Sequence, residues 1–292
     1  MVHDAIVIGG SFAGLSAATY IARGRRDVRI IDAGAPRNRF AEHSHGFFSR
    51  DGSPPLDMVA EARAQVEAYP SVQFTAARAV TAERRGDSFA VTLDSGEVVE
   101  GRYLVLAYGL RDQLPEIAGL AAGWGKTVLH CPYCHGIEFA GEKLGVLRTM
   151  PMSGHQAMLI AEWGPTTYFL NGGEAPDAET LAELERRGVA IEPGRVLGFE
   201  DETITLQDGR RLPLKALYLA PETHFNSDIA EQLGCAIDTG PMGKTVRTDD
   251  FKATTVPGVF AAGDITRAAH NVTWAVGDGV MAGTALHRSL VF

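Results

Sequence analysis

Short apolar runs that end in glycine set the rhythm of this chain. Ala5-Ile6-Val7-Ile8 places four apolar residues in a row without alternation, the pattern of a strand buried on both faces of a parallel sheet. It enters Gly9-Gly10-Ser11-Phe12-Ala13-Gly14, then a helical stretch from Leu15 to about Arg23, then a second strand, Val28-Arg29-Ile30-Ile31-Asp32. Strands are expected next from Val72 to Val80 and from Phe89 to Val99, with a turn near Arg85-Gly86-Asp87 and a hairpin at Asp94-Ser95-Gly96. Lys143-Leu144-Gly145-Val146-Leu147 opens another strand, followed by a helix from Gln156 to Glu162 and a strand from Thr166 to Leu170. Val256 to Ala261 predicts a turn and a short strand, and a helix is expected from about Asn271 to Leu290.

The first of these βαβ patterns carries chemistry. A glycine turn at a helix N-terminus points backbone N–H groups at a pyrophosphate, and the helix dipole favours its charge. Asp32 ends the second strand about 20 residues on, with Ala33 next, where a carboxylate accepts a ribose 2′-hydroxyl. Gly9, Gly10, Ala13 and Gly14 keep the turn small, while Ser11 replaces its middle glycine. Far along the chain, Gly263 allows close backbone approach, and Asp264 can bind ribitol or phosphate through hydrogen bonds.

The chain has three cysteines, and two of them form Cys131-Pro132-Tyr133-Cys134. Two thiols at this spacing close and reopen a small disulfide, which is redox chemistry that needs an electron partner. A zinc site is the other reading. His130 and His135 flank the motif, but a second close Cys/His pair is missing and Cys235 stands alone, so no metal is expected.

These motifs, with Leu104-Val105-Leu106-Ala107-Tyr108-Gly109, occur in an order that resembles the low-molecular-weight thioredoxin reductase family of flavoproteins, over nearly the whole chain. Tyr108 stands where that family usually has threonine. The resemblance implies FAD, a three-layer α/β Rossmann-like FAD domain over 1–114 and 243–292, and a smaller inserted α/β domain over 115–242 with the C-x-x-C. It also implies a homodimer. It assigns Cys134 as the flavin-proximal thiol and Cys131 as the interchange thiol that meets substrate. His135 follows where the family carries an aspartate, and a histidine there can take and return a thiol proton near neutral pH. Gly109 belongs to the implied FAD site. Arg37 or Arg39 after the ribose carboxylate would meet the AMP phosphate, His43 or His45 would lie near the flavin, and the Val80 backbone would read adenine. Asn271 and Val272, after His270, would aim N–H groups at the flavin edge where negative charge develops on reduction.

The inserted domain is expected to repeat the nucleotide fold, yet its turn reads Arg148-Thr149-Met150-Pro151-Met152-Ser153-Gly154-His155. One glycine survives, bulky methionines fill the turn, and Pro151 lacks an N–H. After the next strand, Asn171-Gly172-Gly173-Glu174-Ala175-Pro176 has no Arg or Lys for a 2′-phosphate. The expectation is a degenerate nucleotide domain that has lost its NADPH site. With Cys-Pro-Tyr-Cys-His-Gly and the 166–172 stretch, the chain resembles the dithiol oxidases that close disulfides in compounds such as gliotoxin and holomycin. That implies a small-molecule or peptide dithiol substrate and O₂ as acceptor. A ferredoxin-fed reductase of a thioredoxin-like protein is the enzyme alternative, and a flavin/thiol redox sensor is the non-enzymatic one.

Bulk properties narrow the partners. A net charge of −9 argues against nucleic acid or an anionic membrane, and 45% apolar residues suffice for buried cores. The first apolar stretch is a strand broken by glycines rather than a signal-peptide core, and no run approaches a membrane span. Few cysteines fit a reducing cytoplasm, where C-x-x-C signals catalysis.

Overall fold

The computed structural model describes residues 2–292. The chain begins with β1 (Val2–Ile8), α1 (Phe12–Arg23) and β2 (Val28–Asp32). After α2 (Pro55–Glu67) come β3 (Val72–Ala76), β4 (Ala79–Arg85), β5 (Ser88–Leu93) and β6 (Val98–Leu106). These strands form a mixed sheet in the order β3-β2-β1-β6-β5-β4, with β1, β2, β3 and β6 parallel and the β4-β5-β6 ladder antiparallel.

The expected strand from Val72 to Val80 is two strands. Ala77 N donates to Asp32 O, the last rung toward β2, and Asp94 N donates to Arg78 O, the first toward β5. The hydrogen-bonding partner therefore changes between 77 and 78, and hydrophobicity alone does not register such a change. The hairpin at Asp94-Ser95-Gly96 is present, with Gly96 at a φ of 85° closing the turn between β5 and β6. Helix α1 starts at Phe12, three residues earlier than its apolar pattern indicates.

A second compact unit comprises residues 40–54 and 113–222. Its principal elements are β7 (Val128–Leu129), α3 (Pro132–His135), β8 (Leu144–Leu147) and α4 (Ser153–Ile160). They continue with β9 (Thr166–Phe169), α5 (Ala178–Arg186), β10 (Ala190–Glu192) and β11 (Ala216–Tyr218). The strands make an all-parallel sheet in the order β10-β9-β8-β11-β7. Alternate residues face opposite sides. Val146, Tyr168 and Tyr218 pack with Ala157 and Ile160 of α4 and Leu184 of α5. Leu147, Phe169 and Leu217 pack against Phe199, Ile204 and Leu206 of a three-stranded antiparallel sheet. α4 begins at Ser153 rather than Gln156, because the Ser153 side chain closes the preceding turn (below).

Residues 223–292 return to the first unit. β12 (Val259–Ala261) adds to the first sheet beside β6 in parallel, and α6 (Val272–Ser289) packs along α1. The two helices approach closely because Gly279 and Gly283 have no side chain. A Cβ at Gly279 would lie 2.2 Å from Ala13 O, and one at Gly283 would lie 2.5 Å from Ala17 O. Ser16 Oγ fixes the crossing by donating to Val276 O at 2.8 Å. On this helical face of the sheet sit Ala5, Val7 and Val105, while Ile6, Ile8, Leu104 and Leu106 fill the other. Fully burying aliphatic side chains of this size contributes about 1.5–3 kcal/mol each. Among the described residues, no helix is long and apolar enough to cross a membrane.

Candidate active site

In the first unit, the turn between β1 and α1 is shaped by excluded volume. Gly9 adopts a φ of 107°, and a Cβ there would lie 2.2 Å from Ala107 O. A Cβ at Gly14 would lie 1.8 Å from Gly9 O, so no larger residue lets α1 start this close to β1. Asp32 closes the turn from the side, its carboxylate accepting from Gly10 N at 2.9 Å and Gly34 N at 3.1 Å. Ser11 occupies the N-cap position without a side-chain cap, which leaves the helix start to be satisfied by backbone geometry or by a ligand.

Asp264 lies in a short 3₁₀ turn after β12, beginning at Gly263, whose φ is 78°. Arg37 binds it at 3.0 Å and also grips Asp112. Burial disfavours the Arg37 charge, but the two carboxylates outweigh this and raise its pKa. Arg37 is thus held by carboxylates, and Arg39 donates to the carbonyls of Ala35 and Pro36 in its own loop. Asn271 caps α6 by accepting from Trp274 N at 2.7 Å, with Val272 as the first helical residue. Asn226 donates to Tyr108 O at 2.9 Å beside Gly109, whose φ is 65°. Val80 falls at a bulge in the β4-β5 ladder, and its carbonyl accepts from Gln232.

The turns at Gly9–Gly14 and Gly263, with the Asp32 and Asp264 carboxylates, fit a flavin dinucleotide. Added side chains would fill the turns, and the carboxylates are of the type that binds ribose and ribitol hydroxyls. When bound, such a group supplies a two-electron acceptor for a dithiol.

The redox pair lies in the second unit. Cys131 and Cys134 are joined as a disulfide, with 5.3 Å between their Cα atoms, and Pro132 starts the single turn α3. Both cysteines are partly accessible, and Tyr133 between them is 73% exposed. The preceding segment is held from two sides. Gln156 of α4 donates to His130 O at 2.9 Å, and the His130 ring stacks on Trp124. Tyr218 of β11 donates to His135 O at 3.0 Å, which anchors the far end of the motif.

His135 is half-buried, and burial is the main cause that lowers its pKa. Neighbouring His45 lowers it further, and Glu138 opposes both by favouring the charged form. His45 lies in the 40–54 segment with this group, its ring edge-on to that of His135 at 6.2 Å between centroids. The structure thus brings His45 beside His135, in the unit that also holds Cys131, Cys134, His43 and His130, while the candidate residues for the flavin dinucleotide at the two glycine turns occupy the first unit. Glu138 was not singled out from sequence. Its spacing of three from His135 in a helical stretch was the available signal.

The βα turn of the second unit is closed by its own side chains. Ser153 Oγ accepts from Thr149 N at 3.1 Å and Met150 N at 3.2 Å, the amides that a phosphate would otherwise meet. Arg148 lies across Gly173, where a Cβ would come within 1.9 Å of its Nη1. Asn171, with a φ of 54°, turns the chain and accepts from Val196 N.

The chain matches the pyridine nucleotide-disulphide oxidoreductase family over residues 3–148 and 169–279. Thioredoxin reductase sirT of Leptosphaeria maculans is 32% identical, covering 98% of this chain and 94% of its own. An oxidoreductase structure from Agrobacterium tumefaciens superimposes with a TM-score of 0.97 at 46% identity, covering 100% of this chain and 99% of that one. The structure of HlmI superimposes with a TM-score of 0.94 at 35% identity, covering 99% and 93%. The chain therefore belongs to the pyridine nucleotide-disulphide oxidoreductase family. Within it, this protein is a flavin-dependent disulfide oxidoreductase of the thioredoxin reductase-like kind, with Cys131–Cys134 as its redox-active pair.

Proposed function

We propose that this protein is an FAD-dependent dithiol oxidase. It closes a disulfide in a small-molecule or peptide dithiol and passes the electron pair to O₂. The balanced reaction is R(SH)₂ + O₂ → R(S–S) + H₂O₂. The observation that carries this reading is the closed turn of the second unit. Thr149 and Met150 N–H committed to Ser153, and Arg148 lying over Gly173, support a unit that takes no electrons from a nicotinamide donor.

In the exchange steps, a substrate thiolate attacks Cys131 Sγ. The Cys131–Cys134 bond breaks, and Cys134 leaves as a thiolate. The second substrate thiolate attacks the sulfur of the first and displaces Cys131. The product disulfide forms, and two reduced cysteines remain. His135 accepts the substrate proton, and its lowered pKa keeps a larger fraction of it in the neutral, accepting form at neutral pH. Gly9–Gly14, Asp32, Asp264, Asn271 and Val272 would hold the FAD, which when bound would supply the two-electron acceptor for the reduced cysteine pair.

The test is anaerobic stopped-flow absorbance with NADPH, NADH and dithiothreitol, followed by admission of O₂. Bleaching by dithiothreitol alone, then rapid recovery with H₂O₂ formation, is the expected result. Rapid bleaching by NADPH would make the protein a nucleotide-fed disulfide reductase. Bleaching by dithiothreitol without recovery in O₂ would remove O₂ as the acceptor and favour the ferredoxin-fed reductase instead.

A further inference from the structure

His45 has a carboxylate at each ring nitrogen. Nε2 lies 3.4 Å from Glu138 Oε1, and Nδ1 lies 3.5 Å from Asp51 Oδ1. Side-chain exposure is 37% for Glu138, 23% for His45 and 73% for Asp51, so the Asp51 side of the imidazole is the one that opens to water. The loop that carries them is built to hold this arrangement. Ser44 N donates to Ser53 O at 2.9 Å and Gly52 N to Ser44 O at 3.0 Å, which closes a small hairpin. Asp51 Oδ1 is fixed by Gly46 N at 2.8 Å. An imidazole between two carboxylates can take a proton at one nitrogen and release one at the other. The contacts are longer than good hydrogen bonds, as acid–base contacts often are before substrate closes the site.

We propose that His45 is a second proton carrier of the disulfide site, taking the proton that His135 collects from the substrate thiol and delivering it through Asp51 to water. The step moves a proton only. R–SH and neutral His135 give R–S⁻ and protonated His135, and then His135 returns to neutral as Glu138, the carboxylate beside both rings, takes its proton and passes one to His45 Nε2, while His45 gives one up at Nδ1 to Asp51. The groups around this path are the Glu138 carboxylate beside His135, the Asp51 carboxylate on the loop and the neighbouring His43 ring, 6.3 Å from His45. Tyr218 contributes its hydroxyl to the His135 carbonyl. The inference rests on the thiol-exchange chemistry proposed above.

The experiment follows the rate of anaerobic flavin bleaching by dithiothreitol against pH in the holoenzyme, in His45→Ala and in Glu138→Gln, each checked for flavin content. His45→Ala is expected to bleach about tenfold more slowly, with the rate restored by added imidazole in proportion to its concentration. The acid limb of the profile should move to higher pH in His45→Ala, because His45 holds the His135 pKa down. It should move to lower pH in Glu138→Gln, because Glu138 holds it up. An unchanged rate in His45→Ala, or a loss that imidazole does not restore, overturns the proposal. If His45→Ala loses its flavin, the isosteric His45→Gln is read in its place, and an unchanged rate or one that imidazole does not restore overturns the proposal. A wild-type protein that dithiothreitol fails to bleach would instead overturn the thiol-exchange reading, so the two failures are distinct.

Discussion

The chain makes the same strand-turn-helix bend twice and closes it in opposite ways. Between β1 and α1 the turn is glycine, its shape set by carbonyls too close to admit a side chain. Between β8 and α4 the turn carries side chains, and one of them, Ser153, takes up the turn's own amides. The surrounding architecture is shared: parallel strands, a following helix, apolar packing on both faces. The second bend keeps the frame of the first while its turn amides are satisfied from within. A single serine hydroxyl substitutes internally for the anion that such a turn binds.

The strongest way to break this comparison is to put a side chain into the first turn. Gly14→Ala forces a Cβ against Gly9 O, so backbone must move. A loss of about 3 kcal/mol or more, with loss of flavin, is expected from chemical unfolding and the flavin-to-protein absorbance ratio. Ser153→Ala probes the second turn and should cost about 1–3 kcal/mol by leaving two amides without their acceptor, while flavin content stays at the wild-type level. A flavin-free Ser153→Ala protein would contradict the separation of the two turns. Arg148→Ala clears the crevice but leaves Ser153 in place. Its stability should change by less than about 1 kcal/mol, and NADPH should still fail to bleach the flavin in stopped-flow.

The smallest effect concerns pH. Burial, aided by His45, lowers the His135 pKa, and Glu138 only partly opposes this. His135 is active as a base when neutral, so dithiothreitol bleaching should hold its rate as pH falls through the ordinary histidine value of about 6.5 and decline below it. A decline beginning above that value would show that Glu138 dominates.

Much of this was legible in the sequence because it is local. The Ala5–Ile8 run, the glycine turn and the C-x-x-C each lie within a few residues, and periodicity and spacing identify them. The α/β class followed from those runs. What was not legible depends on partners distant in sequence. The division of Val72–Val80 into two strands is set by Asp32 and Asp94, which lie on either side in the chain. The neighbourhood of His45 and Glu138 brings together residues from a loop and a helical turn that no periodicity relates. Arg37 reads as a phosphate-binding candidate in isolation, and only the fold reveals Asp112 and Asp264 as its partners. The bulky residues around Met150 are visible in the sequence, but not that Ser153 accepts from the turn's amides.

The crossing of α1 and α6 also has a consequence for how the protein is made. Ser16 and Val276, which join the two helices, are separated by 260 positions. During synthesis the N-terminal strand, glycine turn and helix leave the ribosome long before the helix that covers them. Until then Ala13 and Ala17 lack the Gly279 and Gly283 surfaces that cover them in the native state. Contacts of such long sequence separation form late and expose apolar surface to the cell in the meantime. A nascent chain stalled anywhere before residue 272 would hold an unfinished cradle, and cofactor loading is expected to wait for nearly the whole polypeptide.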